Sequence, residues 1–190
     1  MNEIVKKNGL NFGVILGIVS ILITVIIYVT DPTKFVSIWV GLGIILMNLI
    51  FGIFVIAKTK QALGGFITFK EAFTVYFITM ALASLISIIF MYLLFNFIDP
   101  SIKETIMVAT TEMTVNMMKN MGVKTEEIRK TVEAMREVDN FSILKQLQSY
   151  LGGLLIHTII GLIVAAVMKK NNPYPFTPSD EELNKVGSEQ

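Results

Sequence analysis

The residues able to do chemistry in this chain are few and far apart. There is one histidine, His157, and no cysteine, which excludes disulfides, thiolate metal sites and cysteine nucleophiles together. His157 stands inside an apolar stretch, where an ionisable side chain is expensive and often functional. A proton relay or a metal site would require a carboxylate or a second imidazole at the same depth, and the stretch supplies neither. A neutral imidazole between Gly153 and Gly161 is expected instead to hydrogen-bond across a close helix contact, for about 1 kcal/mol. Asn48, with Gly52 one turn further on, and Thr24 carry the same expectation. Glu71 follows Lys70 and the irregular Gly64-Gly65-Phe66-Ile67-Thr68-Phe69 segment, so its carboxylate is expected to cap a helix N-terminus, with a solute or partner contact as its other use.

Met113, Met117 and Met121 fall on one helical face, and thioethers are soft ligands for Cu(I). Without a cysteine or a nearby histidine, the flexible apolar filling of an interface is the better use of them. The chain holds no H-E-x-x-H, no G-x-x-x-x-G-K-[ST], no G-x-S-x-G and no G-x-G-x-x-G. The familiar catalytic types therefore lack their parts, and the chain is read as a non-enzyme without cofactor or metal.

The elements that must position these residues follow from composition. Of 190 residues, 53% are hydrophobic and 16% charged, with a mean hydropathy of +0.66, far from the average of a water-soluble domain. A net charge of +1 gives no basic field for nucleic acid. Crossing a bilayer takes about 20 apolar residues in a helix. Four stretches without Asp, Glu, Lys or Arg qualify, at about 9–29, 35–57, 72–98 and 150–168. The first ends without a small-x-small cleavage site and is read as a retained signal-anchor. Asp31-Pro32-Thr33-Lys34 is a tight turn joining the first two spans. Lys6, Lys7, Lys58, Lys60, Lys70, Lys169 and Lys170 lie near span ends on one side, against Lys34, Lys103 and Lys145 on the other. Both termini are therefore expected in the cytoplasm and 99–149 outside. Trp39, Tyr76, Tyr92 and Tyr150 are interfacial aromatics by type, with packing inside the bundle the other use of Tyr76 and Tyr92.

Small residues mark the faces where spans meet. Gly9, Gly13 and Gly17 recur at four-residue steps with Ser20 beside them; Gly153, Gly161 and Ala165 do so around His157, and the third span offers Ala83 and Ser87. Such stripes serve packing within one bundle or between copies. Outside the membrane, Ile102, Ile106, Ala109, Met113, Met117 and Met121 form an amphipathic stripe. Gly122 then ends that helix, Thr125 caps a second, and Ile128, Val132 and Met135 continue the apolar face. Met113, Met117, Met121, Ile128 and Val132 thereby define a surface for the bundle mouth or a partner. Residues 1–170 form the membrane domain, and the Pro-containing, acidic 171–190 segment reads as a disordered cytoplasmic tail.

Three segments form an ordered set: "QALGGFITFKEAF" before the third span, the "IDP" that ends it, and "MMKNMGVKTEEIRKTVEAM" before the fourth. With the closing "AAVMKK", the chain to about Lys170 resembles the bacterial domain-of-unknown-function 4199 family of small integral membrane proteins. That resemblance implies a bacterial inner membrane and carries over no activity, substrate or catalytic residue. The expected fold is an all-α integral membrane bundle of four transmembrane helices, with an extracytoplasmic amphipathic hairpin between spans three and four. The expected role is a non-catalytic interaction or accessory protein of the envelope, in contact with lipid, an envelope protein or a second copy. The alternative is an oligomeric small-solute carrier or channel with Glu71, Asn48 and His157 along its path.

Overall fold

The computed structural model describes residues 2–172. All but the first two residues of the tail expected at 171–190 lie outside the described residues. Six α-helices follow in order: α1 Glu3–Thr30, α2 Ile38–Ala62, α3 Phe69–Leu93, α4 Ile102–Asn120, α5 Thr125–Glu137 and α6 Ile143–Met168. Among the described residues there is no strand, only an isolated antiparallel bridge between Ile67 and Lys170. Four helices, with α3 counted through Ile98, are long and apolar enough to cross a membrane.

Each junction has a local cause. Asn2 accepts from the Ile4 amide and starts α1 well ahead of the expected residue 9. Asp31 ends α1 and, through its carboxylate, holds both the amide and the hydroxyl of Thr33, setting the 3-10 turn Pro32–Val36. α3 opens on a full capping box: Thr68 Oγ1 accepts from the Glu71 amide (3.2 Å), and Glu71 Oε2 accepts from the Thr68 amide (3.0 Å). α3 then loosens into a π turn, Leu94–Ile98. Gly122, at φ +72°, ends α4 in the left-handed region that favours glycine. Thr125 is the first residue of α5 rather than its cap; Lys124 holds the cap position without a side-chain bond.

The closest pairing is α1 with α3, which run parallel. A Cβ on Gly9 would lie 2.9 Å from Ile78, one on Gly13 3.0 Å from Leu82, and one on Gly17 2.8 Å from Ile86. The three contacts climb both helices together, so the glycines are what allow the backbones to approach. Thr79 adds a hydrogen bond to the Gly9 carbonyl at 3.3 Å, worth about 0.6 kcal/mol in such a setting. α3 also packs on α2 and α6.

Two apolar cores result. The larger joins Val5 and Leu16 of α1, Val55 and Ile56 of α2, Val75, Tyr76 and Met80 of α3, and Val164 and Ala165 of α6. The smaller closes the α4 end of the bundle, where Leu94, Phe95, Ile102, Ile106 and Phe141 gather with Tyr28 and Phe35 against them. Phe95 meets Phe35 and Phe141 edge-on, at ring-centre distances of 5.9 and 5.2 Å. At the opposite end Lys60 Nζ donates to the Met168 carbonyl (3.2 Å), satisfying an end-of-helix acceptor. Outward, the long helices present Ile26, Trp39, Leu155 and Val167, all more than half exposed.

Candidate functional site

A cavity of about 300 Å³ lies between α1, α2, α3 and α6, in the half of the bundle nearest α4. Its walls are mainly apolar, including Leu16, Ile27, Ile44, Met80 and Met91, with Phe35 toward the α4 end. No charged residue lines it. Six polar side chains do: Ser20, Thr24, Asn48, Ser84, Ser87 and His157.

Three of the six are satisfied within their own helices. Ser20 donates to the Leu16 carbonyl (2.9 Å), Thr24 to that of Ser20 (2.9 Å) and Ser84 to that of Met80 (2.7 Å), the usual way for a hydroxyl to sit in an apolar helix. The other three are not. Asn48 and Ser87 make no hydrogen bond among the described residues, and His157 Nδ1 is buried with no partner. The interhelical bonds expected of Asn48, His157 and Thr24 are thus not formed: the first two face the cavity, and Thr24 bonds along its own helix.

Tyr76 sets the depth of these groups. Its side chain is fully buried on α3, not at an interface. A Cβ on Gly52 of α2 would run into its ring, and one on Gly161 of α6 would come within 2.6 Å of Cδ1. Asn48 stands one turn before Gly52 and His157 one turn before Gly161. With Tyr76 as a wedge between the two glycines, both polar side chains arrive at one level on the cavity side of it. The His157 ring lies 6.5 Å from that of Tyr76. α6 begins at Ile143, ahead of the expected residue 150, so His157 is about 21 Å along it. Tyr150 is inside the helix and donates to the Ala81 carbonyl at 3.2 Å.

The remaining predicted positions lie elsewhere. Glu71 is at the opposite end of α3, closed into its capping box and absent from the cavity wall. Gly153 has open space where a Cβ would be, so it does not continue the packing stripe of Gly161. On α4, Met113 is half-buried, while Met117 and Met121 are 50% and 68% exposed. On α5, Ile128 is buried and Val132 partly so. The single methionine face expected along α4 therefore divides: only Ile102 and Ile106, near its start, enter the core. Among the described residues no three His, Cys, Asp or Glu side chains gather as a metal site would.

Two features are absent from a reading of spacing alone. Ser87 enters that reading only as a small residue, and its face on the cavity is visible only once α3 is packed. Asn96 links three segments: its amide donates to the Phe141 carbonyl (3.2 Å) and its carbonyl accepts from Lys103 Nζ (2.7 Å). Asp99 accepts from Ser101 and from the Tyr28 hydroxyl (3.0 Å), and these donors hold its carboxyl below the usual carboxylate range.

Among the described residues the chain is all-helical, and four of its helices, long and apolar enough to cross a membrane and with apolar side chains turned outward, point to the class of helical membrane proteins. Within that class, a family model described as protein of unknown function (DUF4199) matches residues 11–170, and the chain belongs to that family. No curated protein and no solved structure matches the chain.

Proposed function

We propose that this chain is a non-catalytic, multi-pass accessory protein of the bacterial inner membrane, whose α4–α5 segment docks an envelope partner outside the cytoplasm. The lysine asymmetry supports both termini and the 58–70 loop in the cytoplasm, and with them α4 and α5 on the far side. The observation that carries the docking role is the exposure of Met117 and Met121, 50% and 68%, on the part of α4 that runs past the closing core. Adaptable thioether side chains on an exposed helix suit a partner surface. α5 supports the same use. Arg129 bridges Glu126 (3.3 Å) and Glu133 (3.6 Å) on its solvent side, while Ile128 is covered.

A photo-crosslinking residue placed in living cells at Met117 or Met121 tests this. A discrete adduct at these positions, and not at the outward Leu22 of α1, is expected. An adduct of twice the chain's mass assigns the partner as a second copy, and no adduct above the Leu22 control overturns the reading. A second reading, a small-solute carrier or channel, is favoured only by the cavity. It retains Asn48 and His157 and loses Glu71, which caps a helix at the other end.

A further inference from the structure

From the three unpartnered groups around the cavity we infer a binding site for a small uncharged amphiphile, an apolar molecule bearing one carbonyl or hydroxyl head. This is independent of the α4 surface. The absence of any charged residue from the wall leaves an ionic head without a counter-charge, and desolvating an ion there would be prohibitive. The walls of Leu16, Ile44, Met80 and Met91 suit an apolar body. A volume of about 300 Å³ is at the small end of ligand sites, which are typically apolar with a few convergent polar groups.

The head is specified by what is left unpaired. An amide at Asn48 and a hydroxyl at Ser87 each have donor and acceptor capacity, and the His157 imidazole lines the same space with its Nδ1 buried and unpartnered. A polar group kept from water without a partner costs free energy, and His157 Nδ1 is such a group, while Asn48 on α2 and Ser87 on α3 are half-buried and unpaired around the same cavity. A carbonyl oxygen accepts from two of them at once; a hydroxyl accepts from one and donates to another. The Tyr76 wedge fixes Asn48 and His157 at the level where such a head would sit.

The full-length protein in phosphatidylcholine nanodiscs is irradiated with a long-chain aliphatic alcohol carrying a diazirine, and the labelled residues are mapped by mass spectrometry. Label is expected on cavity residues such as Met80 and Met91, displaced by the unlabelled alcohol and not by the alkane of equal length. Asn48→Leu and His157→Leu should each reduce cavity labelling about three- to tenfold, the range for losing one buried hydrogen bond. Gly41→Leu provides a variant that folds whatever the polar groups do. Gly41 lines the cavity, and a Cβ there meets nothing within 4 Å, so a leucine has room at that wall and should reduce the label. Label confined to outward residues such as Leu22 and Ile163, competition by the alkane equal to that by the alcohol, or labelling unchanged in Gly41→Leu each overturns the inference.

Discussion

Tyr76 and Gly161 are in contact across α3 and α6, so closely that a Cβ on the glycine would lie 2.6 Å from Tyr76 Cδ1. An aromatic ring packed among α2, α3 and α6 cannot move aside cheaply. Gly161→Ala should therefore destabilise the bundle by about 1–3 kcal/mol, the usual cost of overpacking. Gly153→Ala, where a Cβ meets open space, should stay within about 0.5 kcal/mol of the parent. Thermal unfolding of the detergent-solubilised variants separates the two. Trimming the ring with Tyr76→Leu should relieve part of the Gly161→Ala penalty, so that the double variant is less destabilised than the sum. Equal melting for Gly161→Ala and Gly153→Ala would remove the wedge from the account.

The spans were legible because apolar length is a local property, and their limits were not, because capping is a matter of single side chains. The start of α6 shows the difference. Lys145, Gln146 and Gln148 lower the hydropathy ahead of Tyr150 without weakening the helix, which Ser142 starts by accepting from the Lys145 amide. The Gly9, Gly13 and Gly17 stripe was readable as a close-approach surface, but its partner face of Ile78, Leu82 and Ile86 was not, since nothing in a run of apolar residues says which side meets glycine. The cluster of Phe35, Phe95 and Phe141 was invisible for the same reason: it joins residues far apart in the chain. Asn48 and His157 stood out as polar groups in apolar spans, whereas their common level needed the position of Tyr76.

Asp99 gives the α4 end of the bundle a pH dependence whose sign is fixed. Hydrogen bonds from Ser101 and then Tyr28 hold its folded-state carboxyl below the ordinary value of 3.8. A depressed carboxyl contributes stability that is present above the unfolded value and is lost as pH falls through the folded one. Asp31, held down by Thr33, acts in the same direction. Melting temperature should therefore fall on acidification below about pH 4, and Asp99→Asn should flatten that fall. An unchanged acid limb in Asp99→Asn would assign the loss to other carboxylates.

Asn96 should control the order of the segment before α6. Replacing it by leucine removes the donor to the Phe141 carbonyl and the acceptor of Lys103 Nζ together, leaving groups unpaired at a cost of about 1–3 kcal/mol. Lys103 also sits 5.8 Å above the Phe141 ring, so the loss spreads to the small core. Hydrogen exchange in Asn96→Leu should quicken at residues 138–142 and at the start of α4, while α1 and the centre of α3 keep the parent's protection. Uniform quickening throughout the bundle would mean that Asn96 supports the whole fold rather than this corner.

The proposed orientation predicts a reactivity pattern that the chain is well suited to report, because it contains no cysteine. Asn120 is exposed at the end of α4, and Gln61 is exposed near the end of α2, at the opposite end of the bundle. With α4 outside the cytoplasm, Asn120→Cys should react with a membrane-impermeant maleimide added to intact spheroplasts, and Gln61→Cys only after the membrane is opened. The reverse pattern would invert the topology and place α4 and α5 among cytoplasmic partners. Between residues 61 and 120 the chain has one apolar helix long enough to cross, α3 with its π turn, so the two cysteines belong on opposite faces of the bilayer. Reaction at both positions in sealed spheroplasts would therefore contradict a crossing by α3, and with it the four-span arrangement.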